Sequence, residues 1–233
     1  MQNPADNISS ATSYTTIDKK VHRLTVLVLI LLMCIELVVS LVTSQWLSAF
    51  LVTMILVVVL LPLILKNKFD VIVPAEFHLL AVIFLFAALF LGEIRDFYER
   101  IWWWDMALHA VAGILMGILG FLLIYLLNES KWVDFYMTPG FMAFFAFIFA
   151  VATGAVWEIF EFTMDQLFGT NMQKPMWGDP SGLTDTMWDM IVNAIGAIII
   201  SVMGWLYMRK RERFIVMEWI HKFIEKNPGL FRN

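Results

Sequence analysis

The sequence predicts an all-α, polytopic membrane protein of about six transmembrane helices, and three observations predict it. Of the 233 residues, 61% are hydrophobic and only 15% charged, against roughly half and one quarter in soluble globular chains. The apolar residues gather in runs near the roughly 20 residues a helix needs to cross the hydrocarbon core. The basic residues segregate between alternate connections, as the positive-inside rule requires. The net charge of −4 argues against nucleic acid as a partner. Membrane lipid is the expected partner, with self-association through small-residue faces. Cys34 is the single cysteine, so neither an intrachain disulfide nor a thiolate metal site can form.

Residues 1–18 are rich in Asn, Ser and Thr and read as a disordered cytoplasmic N-terminus. They do not resemble a cleaved signal peptide. Residues 19–207 read as the transmembrane domain, with spans near 24–43, 46–65, 76–94, 105–127, 139–163 and 186–207. Lipid cannot satisfy exposed backbone groups, so each span must be helical. Thr43-Ser44-Gln45-Trp46 is too short for anything but an antiparallel hairpin. Pro62 and Pro139 fall near span ends, where proline costs least. Thirteen of the 16 Lys and Arg residues fall on one side of this arrangement; only Arg95, Arg100 and Lys174 fall on the other. Both termini are therefore expected in the cytoplasm, in the bacterial inner membrane. In 208–233, Ile215, Trp219, Ile220, Phe223 and Ile224 recur at helical spacing opposite Glu218, Lys222 and Glu225, which reads as an interfacial amphipathic helix.

This orientation gathers acids near the outer face. Glu93, Asp96 and Glu99 follow span three, and Asp105 opens span four with His109 one turn deeper. Glu158 and Glu161 lie in the outer third of span five, with Asp165 beyond. Asp185, Asp189 and Asn193 form an i,i+4 stripe on span six. Residues three or four apart share a helix face. Charge at membrane depth costs roughly 2.5–3.5 kcal/mol on insertion scales, so such groups turn inward and find partners. Glu36 in span one reads as a helix-packing residue. The segment Trp104-Asp105-Met106-Ala107-Leu108-His109-Ala110 echoes Trp188-Asp189-Met190-Ile191-Val192-Asn193-Ala194, and the same physical demand on two helices explains a match this short.

Protons, the cations Arg95 and Arg100, or a bound divalent ion could compensate the cluster. Asp105, His109, Glu158, Glu161, Asp185 and Asp189 are the candidate ligands. Their Asp/Glu/His chemistry suits Mg, Mn, Fe or Zn, and Glu158 and Glu161 are the candidate catalytic carboxylates. Asp105 and Asp185, taken alone, read more simply as helix caps. The tryptophans at 102–104, 157, 177 and 188 read as an interfacial belt.

Asp105-x-x-x-His109, Glu158-x-x-Glu161 and Asp185-Thr186-x-Trp188-Asp189-Met190 resemble the YjdF-like family of bacterial inner-membrane proteins, a domain of unknown function. The resemblance covers roughly residues 75–207, and differs in the Trp-rich approach to Asp105 and in the loop 166–184. It implies that these acids belong together and names no reaction. Three functions remain open: a metal-dependent hydrolase acting on a lipid or envelope substrate, a proton- or cation-coupled transporter, and a structural protein whose polar cluster fixes helix register.

Overall fold

The computed structural model describes residues 19–129, 137–210 and 215–230, and among them there is no strand. The expected disordered segment 1–18 lies outside the described residues. The helices are α1 (Lys19–Val42), α2 (Trp46–Phe69), α3 (Ala75–Leu85) and α4 (Phe97–Arg100), then α5 (Trp104–Glu129), α6 (Pro139–Phe168), α7 (Leu183–Lys210) and α8 (Ile215–Lys226). A π-helix, Phe86–Ile94, continues directly from α3. Among the described residues, five spans are long and apolar enough to cross a membrane: Leu24–Val42, Ala75–Ile94, Trp104–Asn128, Pro139–Phe168 and Leu183–Arg209. In α2 the apolar stretch among the described residues is shorter, Ser48–Pro62. The chain divides into two compact units, Met1–Phe86 and Ala87–Asn233.

In the first unit α1 and α2 pack as a hairpin. Its turn is closed by the Gln45 N–H donating to the Ser40 carbonyl at 2.8 Å, with Ser44 in the left-handed region at φ 58°. Pro62 sits within α2 rather than at its end. The helix continues past it to Asp70, whose N–H bonds the carbonyls of Leu65 and Lys66, a left-handed cap. His78 on α3 approaches the Val59 carbonyl on α2 at 3.0 Å. Glu36 is half-buried in this unit.

The second unit is built on α5, α6 and α7, each packed against the other two. Small residues set their separation. A Cβ added at Gly113 would overlap the Asn193 carbonyl, and one at Gly196 would overlap the Ala110 carbonyl. These two glycines let the backbones of α5 and α7 touch, the small-residue packing used where lipid provides no hydrophobic drive between helices. On α6, Met142, Ala146, Ala150, Gly154 and Glu158 are buried at four-residue intervals, so its narrow face ends in a carboxylate. At Gly120 a Cβ would lie 2.9 Å from the Ala146 Cα, and at Gly154 it would lie 2.9 Å from the Asn193 side chain. Contacts of Asn193 and Ala197 with Gly113, and of Gly204 with Phe121, run in the same order along both helices, so α5 and α7 are parallel and α6 is antiparallel to them. The starts of α5 and α7 and the last turns of α6 therefore meet at one end.

α6 begins with Pro139 after an N-cap, Thr138, whose hydroxyl accepts from the Phe141 N–H. It ends at Gly169, left-handed at φ 64°. In α8, Ile220 and Phe223 are buried while Glu225 and Lys226 are exposed.

Candidate metal centre

The three helices that meet at this end bring the sequence-predicted acids together. Asp105, His109 and Asp189 each offer one ligand atom, and those atoms lie within 4.8 Å of one another. Ligands about 2.0–2.2 Å from one ion lie within about 4.4 Å of one another, so a set with this spacing needs at most a small inward adjustment of its side chains to hold a single ion. Asp189 is fully buried, and neither of its carboxylate oxygens has a hydrogen-bond partner among the described residues. An orphaned carboxylate is costly in a low-dielectric interior, so this side chain requires a proton or a cation beside it.

His109 lies between two carboxylates. Its Nε2 is 3.5 Å from Asp105 Oδ1, and its Nδ1 is 3.6 Å from Glu158 Oε1. Glu158 is 4% exposed, and neither of its oxygens has a hydrogen-bond partner among the described residues. The remaining candidates have other neighbours. The Trp157 indole N–H donates to Glu161 Oε1 at 2.9 Å. Asp185 Oδ2 accepts the backbone N–H of Lys174 at 2.7 Å. Asn193, one turn below Asp189, is buried with its amide nitrogen unpartnered among the described residues.

Asp185 is not the cap of α7. Asp179 and Ser181 do that work: Asp179 Oδ2 accepts from the N–H and hydroxyl of Thr184, and Ser181 Oγ accepts from the Leu183 N–H. The hydroxyl and N–H of Ser181 also bond Asp179, and together these donors hold its carboxyl well below the usual range. With the cap supplied from outside the helix, Asp185 is released to hold the preceding loop. Asp165 holds the same loop from the other side, accepting from the Thr170 hydroxyl and from the N–H groups of Met172 and Gln173. Gln173 Nε2 donates to the Thr186 hydroxyl at 2.8 Å. Beyond these ties the chain reverses in a two-residue turn, with Met176 and Asp179 exchanging both backbone hydrogen bonds. Trp177 and Gly178 at its tip have φ 48° and 87°, the type I′ arrangement. Trp177 packs edge-on against Trp188, ring centroids 5.1 Å apart.

The expected counter-ions are engaged elsewhere. Arg100 pairs with Asp96 at 3.5 Å, both well exposed, and Arg95 lies over the Phe90 ring. Lys174 lies beside Asp185 of the cluster. Its Nζ donates to the Asn171 carbonyl and lies 3.6 Å from Glu99 and 5.8 Å from the centre of the Tyr98 ring. Tyr98 packs on Gly92 of the π-helix. Burial, reinforced by the negative charges of Asp105, Glu161, Glu93 and Asp189, pushes its phenol well above the ordinary value. Sequence reasoning placed Lys174 on this side without a role and met Thr186 only as part of the Asp185-Thr186-x-Trp188 motif; Tyr98 and Gln173 carried no signal, because their contacts span the loop or the π-helix.

The family's sequence pattern spans residues 24–210 and is described as that of a predicted membrane protein, DUF2238. The chain belongs to this family. The match covers all the residues of the site and agrees with the YjdF-like resemblance of the motifs. An uncharacterized protein of Thermotoga maritima is 32% identical over 124 residues, a stretch covering 53% of this chain and 58% of that protein. No solved structure matches the chain.

Proposed function

We propose that this end of the second unit binds one divalent cation through Asp105, His109 and Asp189, and that the protein is a metal-dependent hydrolase. Asp189 carries the reading: a fully buried carboxylate with two orphaned oxygens, within ligand spacing of a histidine and a second carboxylate. Three protein ligands leave coordination positions open, which is the form of a catalytic rather than a structural site. An ion there would polarise an ester or phosphate oxygen, and Glu161 would serve as general base, Glu158 lying on the Nδ1 side of His109. The basic-residue bias supports a site at the outer face of the bacterial inner membrane, where a lipid or envelope precursor would be the substrate.

A transporter site commonly lies near the midplane on broken helices, whereas α5, α6 and α7 are continuous and the acids sit at one end. A purely register-fixing cluster would pair its members, and Asp189 has no hydrogen-bond partner among the described residues. Elemental analysis of protein purified without chelator tests the proposal. One bound Zn, Mn, Fe or Mg per chain is expected, lost in Asp189→Asn and in His109→Ala. Wild-type protein as metal-free as both variants after incubation with each ion would refute it.

A further inference from the structure

We propose that the loop between α6 and α7 rests against the headgroup layer of the adjoining lipid leaflet, with Trp177 as its membrane contact. The partner of this surface is a phospholipid bilayer. The contact does not depend on the ion and would stand with the metal site empty.

The tip of the loop carries the wrong residue for water. A two-residue type I′ turn takes Asn or Asp and then Gly with least strain. Here Trp177 holds the first position at φ 48°, a region that a bulky side chain rarely enters. The strained backbone does not serve to bury the ring, which stays 64% exposed. It lays the ring edge-on against Trp188. Trp188 heads a stripe along α7, followed by Ile191, Ile195, Ile198 and Val202, all exposed and three or four residues apart. Residues at that spacing share one face, and an exposed apolar face on a spanning helix is the one lipid covers. Trp177 thus extends the lipid side of α7 past the start of the helix, to the level where tryptophan sits among headgroups.

The rest of the loop is built for scarce water. Between Gln166 and Thr184 the only charged residues are Lys174 and Asp179. The Asp179 carboxylate is turned onto Ser181 and Thr184, and the Lys174 ammonium onto the Asn171 carbonyl and Glu99. Most N–H groups from Met172 to Thr184 bond inward, to Asp165, Asp185, Asp179 and Ser181 Oγ, or between Met176 and Asp179. Pro175 and Pro180 have no N–H to satisfy. A loop in bulk water needs none of this, because water meets its exposed donors; near hydrocarbon the chain must meet its own. On the flanking helix ends Leu167, Phe168 and Leu183 are exposed, apolar side chains that a lipid surface would cover.

The plainer role for Trp177 is to pack on Trp188 in a water-facing turn. The single cysteine allows the two to be separated on the full chain. In a Cys34→Ser background, Pro180→Cys carries a nitroxide beside the tip, at an exposed position, in phosphatidylcholine nanodiscs. Its collision rates with oxygen and with a water-soluble nickel chelate are measured against a free nitroxide in the same buffer. The oxygen-to-nickel ratio is expected to be severalfold above that water reference. Adding Trp177→Asn, which suits the turn, should return the ratio to the reference without lowering the thermal midpoint. Trp177→Tyr, which keeps an interfacial aromatic ring, should retain most of the rise. A parent ratio equal to the reference would put the loop in water and overturn the proposal. So would a raised ratio that survives Trp177→Asn, or a lower midpoint in that variant with the ratio unchanged. Low collision with both reagents, with spin–spin broadening between labels, would give the surface to a second copy of the chain and overturn it equally.

Discussion

The imidazole of His109 has a carboxylate at each nitrogen, Asp105 at 3.5 Å and Glu158 at 3.6 Å, and only one of its nitrogens can serve a single ion. Asp105 belongs to the set with ligand spacing and Glu158 does not, so Nε2 would be the ligating atom, with Nδ1 facing Glu158 at 3.6 Å and able to donate to it after a small approach. A carboxylate behind a ligating histidine fixes its tautomer and orientation. Glu158→Gln keeps an acceptor for Nδ1–H and is expected to weaken metal binding about tenfold; Glu158→Ala should approach the hundredfold end of the range for such partners. Competition with a chelator of known affinity measures both, and losses as complete as that of Asp189→Asn would make Glu158 a ligand instead. Helical spacing made much of this legible, because i,i+4 intervals alone put Asp105 with His109 and Asp189 with Asn193. The division of labour among the six candidates was not legible. It depends on which carboxylate the Trp157 indole and the Lys174 backbone occupy, and one of those contacts spans eleven residues of loop.

Among the elements, the crossing of α5 and α7 sets the distance between Asp105 and Asp189. Main chain meets main chain at Gly113 and Gly196, so no rotamer change can relieve an added methyl. Gly113→Ala should cost about 1–3 kcal/mol by overpacking and spread the two aspartates. The expected readouts are a lower thermal midpoint in detergent and a relative preference for a larger ion such as Mn²⁺ over Mg²⁺. Gly140→Ala, where nothing lies within 4 Å, is the control and should leave ion preference unchanged. The glycines of α5 were readable as a packing face, but the partner of that face was not. The π-helix left no trace in the sequence either. Its apolar residues suit an α-helix equally well, and the wider turn is visible only in bonds such as the Arg95 N–H to the Phe90 carbonyl.

Across the whole molecule, the membrane class was legible because composition and run length answer to the solvent rather than to any one contact. The α1–α2 hairpin followed from its four-residue connection. The extent of α2 was harder to read: Pro62 marked an expected boundary, yet the helix runs on to Phe69. The charge bias predicts an orientation, and reporter fusions test it. Alkaline phosphatase joined after Pro180 should be active, and joined after Arg209 inactive; the reverse pattern would turn the site toward the cytoplasm. The loop between α6 and α7 has a different consequence. Its ties to Asp165, Thr186 and Asp185 all lie before the two-residue tip, and Asp179 fastens the chain again immediately after it. Trp177 and Gly178 thus form a bridge moored at both ends, so a foreign peptide spliced between them would be displayed without slackening either mooring.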